Sequence, residues 1–150
     1  MLPDTEEKVN TQISHGIRLR GIELLDGSLL RPEDPKDDLT AFQFNLNIVH
    51  DIDRSKKLVF VIVHVDLTSV KLNKHVGSLS VSHIYELANF DQTVVILGDD
   101  KFSLPDELKD ILNSISISTT RGVMFSTFKG TFLHHALLPI VNPKLIQQTL

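Results

Sequence analysis

The residues best suited to chemistry in this sequence are seven histidines, which are spread along the chain. His134 and His135 are adjacent, so in regular secondary structure their side chains diverge instead of converging on one ion. His50, His64 and His83 fall on three successive predicted strands. No aspartate or glutamate stands at a spacing that completes a metal site around them. We therefore predict no bound metal.

Catalytic motifs are lacking as well. The sequence contains no cysteine, which excludes disulfides, thiolate zinc ligands and cysteine nucleophiles. The G-x-S-x-G elbow, the P-loop and the G-x-G-x-x-G fingerprint are also absent. Asp51-x-Asp53-x-Ser55 resembles the start of a calcium loop, but Lys56 and Ile62 stand where glycine and glutamate are needed. The sequence predicts neither catalytic residues nor a cofactor.

An aromatic cluster near the C-terminus is the strongest indication of a binding surface. Methionine and phenylalanine form adaptable apolar surfaces that suit varied partners. We predict a peptide-binding surface made of Phe90, Met124, Phe125, Phe128 and Phe132. Packing of the same side chains in the core is the alternative interpretation.

Length and charge limit the classes of protein that fit. The 150 residues suit a single domain, residues 1–150, of which the polar residues 1–12 are expected to be flexible. A net charge of -4 argues against binding nucleic acid through its phosphates. The N-terminus does not resemble a secretory signal, and the longest apolar run, residues 58–63, is too short to cross a bilayer. These features predict a cytoplasmic protein that is not inserted in a membrane.

Alternating hydrophobicity predicts four strands, at residues 14–25, 39–49, 57–67 and 76–88. The pattern is clearest in the second strand, where apolar residues Phe42, Phe44 and Leu46 alternate with polar ones. Asp26-Gly27 predicts a turn after the first strand, and residues 51–55 predict a polar hairpin loop. We expect the four strands to form an antiparallel meander.

A long helix is predicted to follow the strands. Ser103-Leu104-Pro105 followed by two acids is typical of a helix start, and apolar residues then recur at helical spacing. We expect the helix to continue through residues 114–120, which are rich in β-branched side chains, and a short second helix to run from Asn142-Pro143 to Leu150. The predicted fold class is thus α+β: a four-stranded antiparallel sheet, a long helix and a short C-terminal helix.

The third strand is apolar on both faces, through residues 58–63. Leaving one Val or Ile of the second face in water forgoes roughly 1.5–3 kcal/mol. One helix covers one face, so the other face needs a second subunit, an apolar ligand or the terminal segment of the same chain. We predict a homo-oligomer, a dimer or a tetramer. Its predicted interface consists of Val59, Val61, Val63, Ile111 and Ile115.

Two motifs, Arg121-Gly122 and residues 138–143 with the sequence Leu-Pro-Ile-Val-Asn-Pro, follow the four predicted strands. In this order they resemble the SecB family of export chaperones, over residues 13–150. The resemblance implies a homotetrameric cytosolic holdase that binds unfolded client polypeptides without a cofactor. It also implies that Arg121-Gly122 ends the long helix and that Phe90 lines the client groove.

Two features differ from the family pattern. The segment between Arg121-Gly122 and the proline motif is longer than in the family, and the sequence ends at Leu150 without an extended polar tail. These differences weaken the expectation that clients are delivered to an export motor, and they leave the expectation of client binding unchanged. A module dedicated to one client, such as an antitoxin tail, and a carrier of a small apolar ligand are the alternatives.

Overall fold

The computed structural model describes residues 16–34 and 39–142, together with the backbone of residues 148–149. The prediction for residues 1–12 lies outside these ranges. In chain order the elements are β1 (Ile17–Leu29), β2 (Phe42–Asp53), β3 (Leu58–Ser69), β4 (Lys74–Leu87), α1 (Phe90–Thr93), β5 (Val95–Ile96), β6 (Phe102–Ser103), α2 (Asp106–Phe128) and β7 (Gln148–Thr149). The predicted fold class, four antiparallel strands followed by a long helix, is confirmed.

The strand order differs from the predicted meander at β1. The sheet has the order β1-β4-β3-β2-β7, so β1 pairs with β4 and not with β2. The link across residues 30–41 is long and contains prolines, which suits a connection across the width of the sheet better than a tight hairpin. The four antiparallel strands therefore have a Greek-key order.

The turn predicted at Asp26-Gly27 is absent, because β1 continues to Leu29. The register with β4 shifts between Leu24 and Asp26, and again between Leu19 and Gly21. Such β-bulges let a strand absorb an extra residue without ending. Turn-forming residues in the sequence thus mark a bulge in this strand.

The predicted hairpin between β2 and β3 is confirmed, with its turn later than expected. β2 extends to Asp53, inside the predicted loop, and the turn occupies residues 54–57. The Asp53 carboxylate accepts hydrogen bonds from the Ser55 hydroxyl and from the Lys56 amide, at 2.7 and 3.0 Å. These bonds lower the pKa of the Asp53 carboxyl group.

The long helix starts as predicted but ends later. α2 begins after Pro105 with two acids in its first turn, and it runs through Arg121-Gly122 to Phe128. The expectation that Arg121-Gly122 ends this helix is therefore wrong. The residue with left-handed backbone after the helix is Gly130, with φ of 79°, and glycine at that position commonly ends helices.

Arg121 instead holds the segment that follows α2. Its Nε donates to the Leu138 carbonyl at 2.6 Å, and its Nη2 donates to the Pro139 carbonyl at 2.9 Å. A planar guanidinium group with several donors suits two neighbouring acceptors. The two hydrogen bonds fix the returning chain against the side of the helix.

Most of the predicted C-terminal helix falls on residues 143–147, outside the described ranges. Where the chain is described again, Gln148–Thr149 form β7, which pairs in parallel with Ile48 and Val49 of β2. For these two residues the helix prediction is wrong. The outer edge of a strand offers backbone groups that an extended segment can pair with.

α2 packs across β3 and β4 and covers one face of the sheet. The alternate residues Val59, Val61 and Val63 of β3 are fully buried, as are Leu112 and Met124 of the helix. Within the described part of the chain, no helix is long and apolar enough to cross a membrane.

Two glycines allow a test of how closely β4 packs against β1 and against the segment that follows α2. A Cβ at Gly77 would lie 2.6 Å from the Leu133 Cδ1 atom and 3.0 Å from the Ser28 carbonyl oxygen, whereas at Gly122 nothing lies within 4 Å. We expect Gly77→Ala to lower the free energy of unfolding by about 1–3 kcal/mol. Gly122→Ala, in the interior of α2, should raise it by about 0.5–1 kcal/mol. Urea unfolding of both variants measures this, and equal effects would contradict the packing described.

Candidate functional site

Strand β1, at one edge of the sheet, and the residue that follows it carry the largest group of exposed apolar side chains among the described residues. Between 40 and 52% of each side chain is exposed. We call this group the β1 apolar surface, and it comprises Leu19, Ile22, Leu24, Leu25, Leu29 and Leu30. An exposed apolar patch of this kind marks a surface that meets another molecule.

The strand register shows which way this surface faces. Three of its residues pair with buried β4 residues: Leu19 with Tyr85, Ile22 with His83 and Leu24 with Val81. Paired residues of antiparallel strands project from the same face of a sheet. The three side chains therefore project from the face that α2 covers, yet they lie beside the helix and stay exposed.

A groove of about 400 Å³ opens where the start of β1 meets the start of α2. Its lining includes Ile17 from β1, Leu87 from β4, and Leu108 and Ile111 from α2. Ile111 and Ile115 remain accessible on the helix. This groove extends the apolar character of the β1 surface toward the helix.

The predicted oligomer interface divides into buried and accessible residues. Val59, Val61 and Val63 are fully buried beneath α2 of the same chain, so they can contact a partner only if the helix moves. Ile111 and Ile115 are the accessible members. On the opposite face of β3, Phe60 and Ile62 are only half-buried.

The predicted peptide-binding residues do not form one accessible surface. Phe90, Met124 and Phe128 are buried, and Phe132 is half-buried against the core. Phe125 alone among the five is largely exposed, at 57%. For Phe90, Met124 and Phe128 the structure favours the alternative interpretation, which is core packing.

The β1 apolar surface leaves no regular alternation in the sequence, because the two register shifts interrupt it. Leu19 has an odd number and Ile22 an even one, yet both project from the same face because a shift lies between them. A strict period of two assigns them to opposite faces. The density of leucine and isoleucine in residues 17–30 was the one available indication.

A buried row of polar contacts joins α2 to the sheet. His50 Nε2 lies 2.7 Å from Asn113 Oδ1, the Tyr85 hydroxyl lies 2.7 Å from Ser116 Oγ, and His83 Nε2 lies 3.4 Å from Thr120 Oγ1. His83 Nδ1 also donates to the Val61 carbonyl at 2.8 Å. Buried polar groups with fixed partners set the register of the helix on the sheet.

Two buried polar atoms in this row have no hydrogen-bond partner within the described part of the chain, His50 Nδ1 and Asn113 Nδ2. Burial lowers the pKa of His50 and of His83, because removal from water disfavours the charged imidazolium. Burial likewise raises the pKa of the Tyr85 hydroxyl. The row is therefore neutral at pH 7.

Acid should weaken the contact between α2 and the sheet. Below the ordinary histidine pKa of 6.5 the unfolded chain binds protons that buried His50 and His83 do not accept. Stability should therefore fall by up to about 1.4 kcal/mol per pH unit for each histidine. Urea unfolding between pH 7.5 and 5 measures the slope. His50→Asn and His83→Asn should each reduce it, and an unchanged slope in both variants would contradict this origin.

The histidines that the structure describes lie apart in the fold, except for the adjacent His134 and His135. His64 lies on the other face of the sheet from His50 and His83, where its Nδ1 lies 2.6 Å from the Ser80 hydroxyl. His134 and His135 lie in a turn, with ring centroids 3.8 Å apart. Across the residues that the structure describes, no group of three potential ligands converges.

The sequence and the fold were compared with those of known proteins. No protein-family model and no curated protein matches the sequence. Among solved structures, the fold is similar to Rv1957, a SecB-like chaperone of Mycobacterium tuberculosis that was solved in complex with a ChAD peptide from the Rv1956 HigA1 antitoxin. The TM-score is 0.54 at 12% sequence identity, and the match covers 93% of this chain and 96% of that one. The protein therefore has the α+β fold of a SecB-like chaperone.

Proposed function

We propose that this protein is a SecB-like holdase that binds unfolded segments of client polypeptides. The observation that carries the proposal is the β1 apolar surface, which lies beside a groove at the start of α2. Burial of apolar area yields roughly 25 cal/mol per Å² and needs no particular client sequence. Unfolded chains expose apolar side chains that native proteins hide, so this surface selects them.

The proposal includes self-association in the cytoplasm. Ile111 and Ile115 are accessible apolar residues on α2, and we propose that they contact a second copy. Light scattering of the purified protein measures the assembly. A mass of one chain at micromolar concentration would contradict it.

A dedicated client is the second candidate function. It is favoured by the complex of the SecB-like neighbour with an antitoxin peptide. A dedicated chaperone protects one partner, whereas a general holdase protects unrelated ones. Contact with an export motor is a separate property that either kind of chaperone can have. The two functions thus differ in the breadth of clients that they protect.

The test uses several unrelated proteins, each diluted from denaturant with this protein in equal amount and without nucleotide. A general holdase should slow the aggregation of all of them, as measured by light scattering. Protection of a single client would favour the dedicated function. If no client is protected, and mass spectrometry of an organic extract finds a bound lipid-like molecule, the carrier alternative replaces both.

A further inference from the structure

The two edges of the sheet differ in regularity. β1 shifts register twice against β4. β2 pairs with β3 from Phe42 to Asp53 without any shift. Bulges protect an edge from further strand pairing, whereas a long and regular edge strand is a ready template for it. β2 is therefore the edge better suited to receive an added strand.

The C-terminal strand β7 already uses this template. Its two residues, Gln148 and Thr149, pair in parallel with Ile48 and Val49. A parallel ladder is slightly less stable per residue than an antiparallel one, and this one spans two residues. The contact is short enough for a longer strand to replace it.

An anchor earlier in the same segment limits how far the C-terminal strand can move. Arg121 on α2 holds the carbonyls of Leu138 and Pro139, and Pro139 precedes Gln148 by nine residues in the sequence. A short tether gives an attached segment a high effective concentration at its site. A weak two-residue ladder can therefore stay occupied in the absence of a competitor.

The side chains of β2 provide places for an added strand to interact. Phe42, Phe44 and Leu46 alternate along the strand and are half-buried on the face covered by α2. The Phe42 and Phe44 ring centroids lie 6.3 Å apart. In strand addition, backbone hydrogen bonds supply the affinity, and alternate side chains supply the selectivity.

We propose that the outer edge of β2 is a second client site, at which an extended client segment adds to the sheet in place of Gln148–Thr149. The protein's own C-terminal strand is then a displaceable plug. The occupant is a polypeptide segment with apolar side chains at every second residue. This inference rests on the proposed function, because the occupant is an unfolded client.

The experiment compares two variants of the full chain. Gln148→Pro with Thr149→Pro removes the amide donors of β7 and disfavours its pairing. Gln148→Ala with Thr149→Ala retains the backbone donors and is the matched control. The probe is a labelled ten-residue peptide of alternating leucine and serine. We expect the proline variant to bind it roughly tenfold more tightly than the wild type, because the tethered competitor is lost, and the alanine variant to match the wild type.

A second peptide tests the mode of binding. It has the same sequence with alternate backbone amides methylated, so that one edge cannot donate hydrogen bonds, and it is made in both possible registers. The register that blocks the edge facing β2 should lose the gain in affinity. The NMR amide signals of Ile48 and Val49 should shift with the unmethylated peptide and stay unshifted with the blocked register. Equal affinity of the proline variant and the wild type would overturn the inference.

The outcomes separate this inference from the proposed function. If the proline variant gains no affinity while aggregation is still suppressed, the C-terminal plug is wrong and the holdase stands. If no variant binds the peptide and none suppresses aggregation, the holdase itself is wrong and the inference falls with it.

Discussion

Replacing Ile22 and Leu24 together with threonine should weaken client binding by about 10- to 100-fold, because two apolar contacts are reduced. Threonine is β-branched, a shape that strands favour. Both side chains are about half exposed, so the unfolding midpoint should change little. The concentration that halves client aggregation measures the first effect, and urea unfolding measures the second.

The matched control removes apolar side chains elsewhere on the surface. Val70 and Leu97 are exposed at least as much as Ile22 and Leu24, but they lie outside the β1 apolar surface. Val70→Thr with Leu97→Thr should leave protection intact. Equal loss of protection in both double variants would indicate nonspecific adhesion, and full protection by the β1 variant would place client binding on another surface.

The regular part of the fold could be predicted because local physical rules agree there. Phe42, Phe44 and Leu46 alternate with polar residues in β2, and Pro105 with the following acids marks the start of α2. These features act over a few residues, so a single sequence contains them in full. The α+β fold class follows from their order.

Features that depend on contacts distant in sequence could not be predicted. The pairing of β1 with β4 joins segments about sixty residues apart, and the sequence of β1 alone does not identify its neighbour. Gly122 and Gly130 both lie near the expected helix end, but only Gly130 has a positive φ. The tertiary structure decides which glycine ends α2.

The aromatic cluster shows the same limit at the candidate site. Helical spacing places Met124 and Phe128 on one face and Phe125 on a different one. Composition treats the three side chains alike, and it does not indicate which face packs on the sheet. Contact with β3 and β4 buries Met124 and Phe128 and leaves Phe125 exposed. The larger accessible apolar surface is therefore on β1 and not in this cluster.

Phe128 and Phe125 should therefore respond in opposite ways to truncation. Phe128 is 1% exposed and belongs to the core, so Phe128→Ala should lower the free energy of unfolding by about 3–5 kcal/mol. Phe125→Ala, at an exposed position on the same helix, should change it by less than about 0.5 kcal/mol. Urea unfolding separates the two cases. A Phe128→Ala variant that keeps its stability but loses client binding would contradict this assignment. It would show that Phe128 belongs to the client-binding surface, because truncation of a core phenylalanine lowers stability.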